Sequence, residues 1–193
     1  GETAGGTPTP GIGFVTISIT PSMGFGTGHH ASTRRCLSLL QRVPLDGARV
    51  LDAGTGSGVL AIAAWKLGAR EVVAVDADPD ALSAAAENLE RNGATNAIQI
   101  ALVDLGRLPN PGVHGPFDVV LANLTGSALI RYAPGLASLL SPGGRLIASG
   151  FQEDEIAAVA GAFESIRLAL SEHDIEETWV GAIFTNPIAS TAR

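Results

Sequence analysis

Short apolar runs alternate with amphipathic segments of helical length along most of the chain. Five runs are rich in β-branched residues and apolar at consecutive positions, as strands buried on both faces are; they are Arg49–Asp52, Glu71–Asp76, Ile98–Val103, Phe117–Asn123 and Arg145–Gly150. The intervening segments predict helices at Val59–Leu67, Pro79–Asn92, Ser127–Leu140 and Glu153–Phe163, and a further helix, Ala31–Arg42, precedes the first strand. This alternation predicts βαβ units, and therefore a doubly wound α/β fold around a parallel sheet.

The pattern changes near the carboxyl end of the sequence. Ser165–Ile175 and Thr178–Thr185 are strand-like runs separated only by Glu176 and Glu177, which leaves no room for a crossover helix. We therefore expect an antiparallel hairpin that completes a mostly parallel, seven-stranded sheet. The opening stretch Gly1–Gly13 is rich in Gly, Thr and Pro and predicts a flexible segment, so that residues 14–193 form one domain.

Composition narrows the functional classes. Lys and Arg number 12 against 19 Asp and Glu, a formal net charge of −7, so no excess of positive charge is present to hold a nucleic-acid backbone, and we expect no direct nucleic-acid partner. No uninterrupted apolar run reaches the roughly 18–20 residues of a membrane span. The single cysteine, Cys36, excludes an intrachain disulfide, no charged-then-apolar leader opens the sequence, and no Cys and His residues have metal-ligand spacing. We expect a cytoplasmic protein with no membrane partner and no metal.

A glycine-rich turn follows the first predicted strand. Gly54, Gly56 and Gly58 lie between that strand and the next helix. Glycines let the backbone approach a ligand closely, and the first helical turn offers unpaired N–H groups. Asp76 ends the second strand, where a carboxylate can accept hydrogen bonds from both hydroxyls of a ribose. The turn and the acid together predict a site for a nucleoside-containing cofactor at the carboxyl ends of the strands.

A dinucleotide-dependent dehydrogenase would use a similar turn, but three features oppose it. Asp52 would bring negative charge near a pyrophosphate, whereas it suits a ligand that carries an ammonium and a sulfonium group. The spacing Gly54-x-Gly56-x-Gly58 departs from G-x-G-x-x-G, and the C-terminal hairpin is an unusual ending for a dehydrogenase. These features favour a ligand with an ammonium and a sulfonium group over a dinucleotide, with Asp52 near the ammonium; a structural acid that caps the turn is the alternative role of Asp52.

Two motifs carry a resemblance to a known family. Asp52–Gly58 resembles the first motif of class I S-adenosylmethionine-dependent methyltransferases, and Pro21–Arg34 is similar to the segment before that motif in the PrmA family, the methyltransferases of the large-subunit ribosomal protein numbered eleven. The similarity covers about Pro21 to Thr185 and includes Asp76–Pro79, Asn88-x-x-x-Asn92-Gly93, Ala122–Leu124 and Pro142–Gly144. The resemblance implies the class I methyltransferase fold, and it implies that the cofactor contacts Thr33, Gly54, Asp76 and Asn123.

The segment before the first helix supplies further candidates. Phe25 and Thr27 belong to a run with two glycines, whose composition suits a mobile loop over the methionine part of the cofactor, although such loops are often mere connectors. His29 and His30 follow, and an imidazole there can take a proton from an amine acceptor. We name His29 as a candidate catalytic residue; the alternative is that it caps or packs on the helix.

Asn123 ends the fourth strand, where the class I amine methyltransferases that the chain resembles have a polar residue against the acceptor nitrogen. It is the second candidate catalytic residue, because its carbonyl oxygen can orient that nitrogen toward the methyl group; a turn-forming asparagine is the alternative. The residues that follow, Leu124–Gly126, lack the Pro-Pro-aromatic run of many DNA methyltransferases, which argues against a flipped base as the substrate. Gly56 belongs to the cofactor-binding turn, and Asp104 either reaches the adenine amino group or simply opens a loop. Trp179 and Phe184 are expected in the core.

The leading functional hypothesis is N-methylation of protein amino groups. The PrmA family also has an N-terminal domain that recognises its ribosomal substrate, whereas only about twenty residues precede Pro21 here. The chain is therefore either a catalytic domain separated from its recognition domain or a related enzyme with another acceptor. A small-molecule methyltransferase and a cofactor-binding module without catalysis remain as alternatives.

Overall fold

A computed structural model describes residues 14–20 and 30–188, and its centre is one seven-stranded sheet. The strands are β1 Arg49–Ala53, β2 Glu71–Asp76, β3 Ile98–Leu102, β4 Phe117–Asn123, β5 Leu140–Gln152, β6 Ala169–Glu176 and β7 Trp179–Thr185. The helices are α1 Ala31–Leu40, α2 Val59–Lys66, α3 Pro79–Arg91, α4 Gly126–Ser138 and α5 Ile156–Glu164. Short 3₁₀ turns occupy Leu105–Arg107 and Glu153–Glu155.

The strand order in the sheet is β3-β2-β1-β4-β5-β7-β6. Strands β1 to β5 pair in parallel, and β7 pairs antiparallel with both β5 and β6. The expected doubly wound sheet with a C-terminal antiparallel hairpin is thus confirmed. The strand order reverses between β1 and β4, and in open α/β sheets ligands bind outside the carboxyl ends of the strands at such a point.

Successive side chains of the buried strands pack alternately in two separate hydrophobic cores, one on each face of the sheet. Val50 packs in the core formed with α1, α2 and α3, whereas its neighbour Leu51 packs in the core formed with α4 and α5. Both are fully buried. Because successive side chains on a strand point to opposite faces, the consecutive apolar residues of β1 reflect helices on both sides of the sheet.

Helix α1 is attached to the edge of the sheet by ion pairs with β6. Arg34 Nη2 lies 2.7 Å from Glu176 Oε1, and Arg35 Nη2 lies 2.8 Å from Glu176 Oε2. The hydrogen bond from Arg34 lowers the pKa of the Glu176 carboxyl below its ordinary value. These contacts fix α1 across the C-terminal hairpin, which sets the position of the side chains that α1 directs toward β4.

Three boundaries differ by three residues or more from those that the sequence predicts. The first hairpin strand begins at Ala169 rather than Ser165, because Ser165 ends α5 and the chain then turns through Arg167 in a left-handed conformation, with φ 73°. Strand β5 extends back to Leu140, and α5 begins at Ile156 after a 3₁₀ turn. The predicted flexible segment Gly1–Gly13 lies outside the described residues.

Candidate functional site

The glycine-rich turn after β1 requires glycine for conformational and steric reasons. Gly54, Gly56 and Gly58 have φ values of 77°, 54° and 81°, in the left-handed region that other residues rarely adopt. A Cβ atom at Gly54 would lie 2.6 Å from Leu124 Cδ2. The backbone N–H groups of Gly54 and Thr55 both donate to Val75 O at 2.9 Å, which binds the turn to the end of β2.

Asp76 connects this turn to the start of α3. Its Oδ2 accepts a hydrogen bond from Gly56 N at 3.0 Å, and its Oδ1 accepts one from Asp78 N at 3.0 Å. Asp78 in turn caps α3 by accepting from Asp80 N. The carboxylate is therefore held at the mouth of the crevice, and each of its oxygens keeps a further lone pair for a ligand.

A cavity of about 690 Å³ opens at the carboxyl ends of β1, β2 and β3. It brings together four of the residues named from the sequence, which are Gly54, Gly56, Asp76 and Asp104. The other lining residues are Ser57, Ala77, Asp78, Asp80, Ala81, Ala84, Leu105, Leu124 and Tyr132. Asp104 also starts the 3₁₀ turn, because its Oδ1 accepts from Gly106 N at 2.8 Å, as the loop-opening alternative predicted; its contact with adenine stays a prediction.

Asp52 is buried beneath the turn. Its Oδ2 accepts hydrogen bonds from Thr55 Oγ1 at 2.7 Å and from Ala61 N at 3.1 Å, whereas its Oδ1 is buried without a hydrogen-bond partner among the described residues. Burial raises the pKa of the Asp52 carboxyl to about 6, although the two hydrogen bonds oppose that shift. Oδ2 of Asp52 thus supports the turn. Oδ1 is an acceptor that has no hydrogen-bond partner among residues 14–20 and 30–188.

A second cluster lies at the ends of β4 and α1. Asn123 Nδ2 donates a hydrogen bond to Thr33 Oγ1 at 3.2 Å, and Thr33 itself is buried. Within the described residues no donor contacts Asn123 Oδ1, so this oxygen remains available to a ligand. Leu124 follows Asn123 and lines the cavity, so the two clusters adjoin.

Comparison with known proteins identifies the family. The family model for ribosomal protein L11 methyltransferase (PrmA) matches residues 10–187. This chain belongs to the PrmA family. The L11 methyltransferase of Chloroflexus aurantiacus is 41% identical over 193 residues, which cover 90% of this chain and 59% of that protein. That of Pelotomaculum thermopropionicum is 45% identical over 168 residues, which cover 87% of this chain and 53% of that protein.

Solved structures of methyltransferases share the fold. The ribosomal protein L11 methylase of Lactobacillus delbrueckii subsp. bulgaricus has 30% sequence identity and a TM-score of 0.76 over 83% of this chain and 81% of that one. An RNA methyltransferase of Salinibacter ruber, solved with S-adenosyl-L-homocysteine, has 23% identity and a TM-score of 0.62 over 83% of this chain and 93% of that one. The chain has the class I methyltransferase fold of its S-adenosylmethionine-dependent family. It spans between half and three-fifths of the length of the two curated PrmA relatives.

Three of the candidate residues named from the sequence, Phe25, Thr27 and His29, lie outside the described residues and stay predictions. His30 is the cap of α1: its Nδ1 lies 2.8 Å from Ser32 Oγ, and it accepts from Ser32 N. Its ring lies 4.5 Å from that of Trp179 in an edge-on arrangement. Trp179 is only half-buried, so its expected place in the core is wrong, whereas Phe184 is buried in the core as expected.

Sequence reasoning missed the apolar walls of the cavity, which come from Leu105, Leu124 and Tyr132. Leu105 and Leu124 directly follow the candidate residues Asp104 and Asn123. Their position next to these residues is the sequence signal that could have placed them in the cavity wall. Among the described helices none is long and apolar enough to span a bilayer. The described residues also contain no group of three or more His, Cys, Asp or Glu side chains that could hold a metal ion.

Proposed function

We propose that this chain is the catalytic domain of an S-adenosylmethionine-dependent N-methyltransferase that acts on protein amino groups, in the manner of the L11 methyltransferases it resembles. The observation that carries the proposal is the adjacency of two clusters. The cavity beside Gly54 and Asp76 suits a nucleoside, and the carboxamide of Asn123 lies next to its Leu124 wall, with a carbonyl oxygen that accepts no hydrogen bond from residues 14–20 or 30–188. A methyl donor and an amine acceptor would meet where these clusters join.

The residues present fit S-adenosylmethionine better than a dinucleotide. Asp76 offers two carboxylate oxygens to the ribose hydroxyls, and Asp104 and Leu105 offer an acceptor and an apolar surface to the adenine. The buried, unpaired Oδ1 of Asp52 suits the ammonium group of the methionine part. Asp78 and Asp80 add further negative charge to the cavity wall, which opposes a pyrophosphate and tolerates a cationic ligand.

When bound, the cofactor supplies an electrophilic methyl group on a sulfonium, so the protein needs neither a metal nor a covalent intermediate for the transfer. Alignment of the acceptor and exclusion of water are the contributions left to the chain. Thr33 accepts the amide hydrogen of Asn123 and so fixes the plane of its carboxamide. Asn123 Oδ1 would then accept a hydrogen from a neutral amine and orient its lone pair. His29 or water would take the proton from that amine.

The acceptor class follows from the family and the charge of the chain. Relatives are named L11 methyltransferases, and a ribosomal protein as the acceptor would place the activity in the cytoplasm. The net charge of −7 favours contact with a basic protein over direct contact with nucleic acid.

Transfer of labelled methyl groups tests the proposal. The purified chain would be incubated with methyl-labelled S-adenosylmethionine, with purified ribosomal protein L11 and, separately, with a metabolite extract. We expect label on amino groups of the protein, and a loss of at least a hundredfold in kcat for Asn123→Ala. Asn110→Ala, at an exposed loop near the amino end of β4, is the control and should retain full activity. Label confined to small molecules would refute a protein acceptor, and no transfer to any acceptor would favour a non-catalytic module.

A further inference from the structure

Two asparagines four residues apart, Asn88 in the last turns of α3 and Asn92 at its carboxyl-terminal cap, hold the segment 14–20. Asn92 pairs with Ser18 as a neighbouring strand would: its Oδ1 accepts from Ser18 N at 3.0 Å, and its Nδ2 donates to Ser18 O at 2.8 Å. Asn88 Oδ1 accepts from Thr20 N at 2.9 Å. Ile17 and Ile19 of the same segment pack against the α1–α3 core. The segment is therefore docked by side-chain amides that replace regular backbone pairing.

Asn88 makes a second hydrogen bond that Asn92 does not make. Its Nδ2 donates to Ser57 O, inside the glycine-rich turn, at 2.9 Å. Asn88 is 1% exposed, and a buried amide with both of its ends bound constrains both of its partners. One side chain thus joins the turn that lines the cofactor cavity to the segment that begins the described chain.

Helix α3 also presses on the turn directly. A Cβ atom at Gly58 would lie 3.2 Å from Leu89 Cδ1 and 3.4 Å from Ala85 Cβ, so the turn has no free space on its α3 side. On its other side, Gly56 N is bound to Asp76 Oδ2. Ser57 lies between these two glycines, and the hydrogen bond from Asn88 to its carbonyl ties the peptide between Ser57 and Gly58 to α3.

We propose that Asn88 is a positioning residue for cofactor binding, which holds the glycine-rich turn in its receptive shape and makes that shape depend on the docking of segment 14–20. The inference rests on the proposed function, because it takes the turn to be the cofactor site. Without Asn88 the turn must be ordered when the ligand binds, and this cost lowers affinity. Asn92 docks the same segment without contacting the turn, so its loss has a smaller effect on affinity.

Two measurements on the same variants separate a positioning role from a structural one. Calorimetry gives the Kd for S-adenosylhomocysteine, and urea unfolding gives the stability of the fold. We expect Asn88→Ala to raise the Kd at least tenfold and to raise the KM for S-adenosylmethionine more than it lowers kcat. Asn88→Asp keeps the acceptor for Thr20 N but sets a carboxylate oxygen against Ser57 O, so it should not restore affinity. Asn92→Ala should change the Kd less than threefold. Equal losses of stability in Asn88→Ala and Asn92→Ala, with both Kd values within twofold of the wild type, would overturn the proposal.

A ligand-free measurement keeps the inference distinct from the proposed function. Thr20→Pro removes the N–H that donates to Asn88 Oδ1, together with the side-chain hydroxyl of residue 20, and Thr20 belongs to neither apolar core. Without any cofactor, we expect the peptide that contains residues 54–58 to exchange its amide hydrogens for deuterium faster in Thr20→Pro than in the wild type. Unchanged exchange there would contradict the coupling. Failure of the wild type to bind S-adenosylhomocysteine would instead contradict the cofactor assignment.

Discussion

Gly54 and Leu124 are in such close contact that a single added methyl group at Gly54 would lie 2.6 Å from Leu124 Cδ2. Leu124 is confined on another side by Gly150, where a Cβ atom would lie 2.5 Å from Leu124 O. The residue after Asn123 is thus held between two glycines. The glycine-rich turn and the proposed acceptor site are therefore mechanically connected, and a change in one should be measurable in the other.

Gly54→Ala tests that connection. The substitution places an alanine at φ 77°, which costs about 1–2 kcal/mol, and it displaces Leu124. We expect at least a tenfold higher Kd for S-adenosylhomocysteine and a lower kcat. Gly47→Ala is the matched control, because Gly47 has φ 71° but nothing within 4 Å of its would-be Cβ. Equal Kd values in the two variants would show that Leu124 does not transmit the strain.

Asp76→Ala tests the ribose site. The change removes the acceptor of Gly56 N and, in the proposed complex, two hydrogen bonds from ribose hydroxyls. We expect cofactor binding to weaken by about 1–3 kcal/mol, read from the Kd. Asp118→Ala is the control, since Asp118 also accepts a backbone N–H, from Arg49, but at the opposite end of the sheet. If calorimetry gives both variants the wild-type Kd, the ribose does not bind at Asp76.

Asp52 should give the ligand-free protein a distinctive pH dependence. The pKa of its buried carboxyl is raised from 3.8 to about 6, so the folded state favours the protonated form. This raised pKa contributes about 3 kcal/mol to the free energy of unfolding. The contribution is fully present below about pH 4 and is lost as pH rises through 6. Asp52→Asn abolishes that loss. We therefore expect the unfolding free energy of the wild type, relative to Asp52→Asn, to fall between pH 4 and pH 7.

Saturating S-adenosylhomocysteine provides the second half of the Asp52 test. Its ammonium group would pair with the ionised carboxylate, so the difference between wild type and Asp52→Asn at pH 7 should shrink or reverse when the ligand is present. Urea unfolding at both pH values, with and without ligand, measures this. Parallel pH profiles for the two proteins would contradict the raised pKa, and a difference that the ligand leaves unchanged would contradict the ammonium contact.

Thr33→Val tests the support of Asn123. The side chains have the same shape, but valine cannot accept the hydrogen bond from Asn123 Nδ2. We expect kcat for methyl transfer to fall roughly fivefold, in line with about 1 kcal/mol for one hydrogen bond. Thr185→Val, at the far end of β7, removes a hydroxyl bonded to Ser171 and should keep wild-type kcat. A normal kcat for Thr33→Val would mean that Asn123 needs no such support.

The sequence predicts this fold well where local pattern determines structure. A run of consecutive apolar residues predicts the strand that ends at Asp76, and closely spaced glycines predict the turn at Gly54. Each signal occupies only a few neighbouring residues. Tertiary packing determines the rest. Leu124 and Tyr132 line the cavity because helix α4 packs on one face of the sheet and contacts the 3₁₀ turn at Leu105–Arg107, and Trp179 is half-buried where β7 begins beside His30. Asn88 is recognisable from the sequence only as part of a motif, since its partners Thr20 and Ser57 are distant along the chain.

Calorimetric titration of the purified chain with S-adenosylhomocysteine and, separately, with NAD tests the central claim most directly. The carboxylates around the cavity and the unpaired oxygen of Asp52 predict saturable binding of the sulfur nucleoside and no measurable binding of NAD. Saturable binding of NAD, with none of S-adenosylhomocysteine, would contradict the assignment of this cavity.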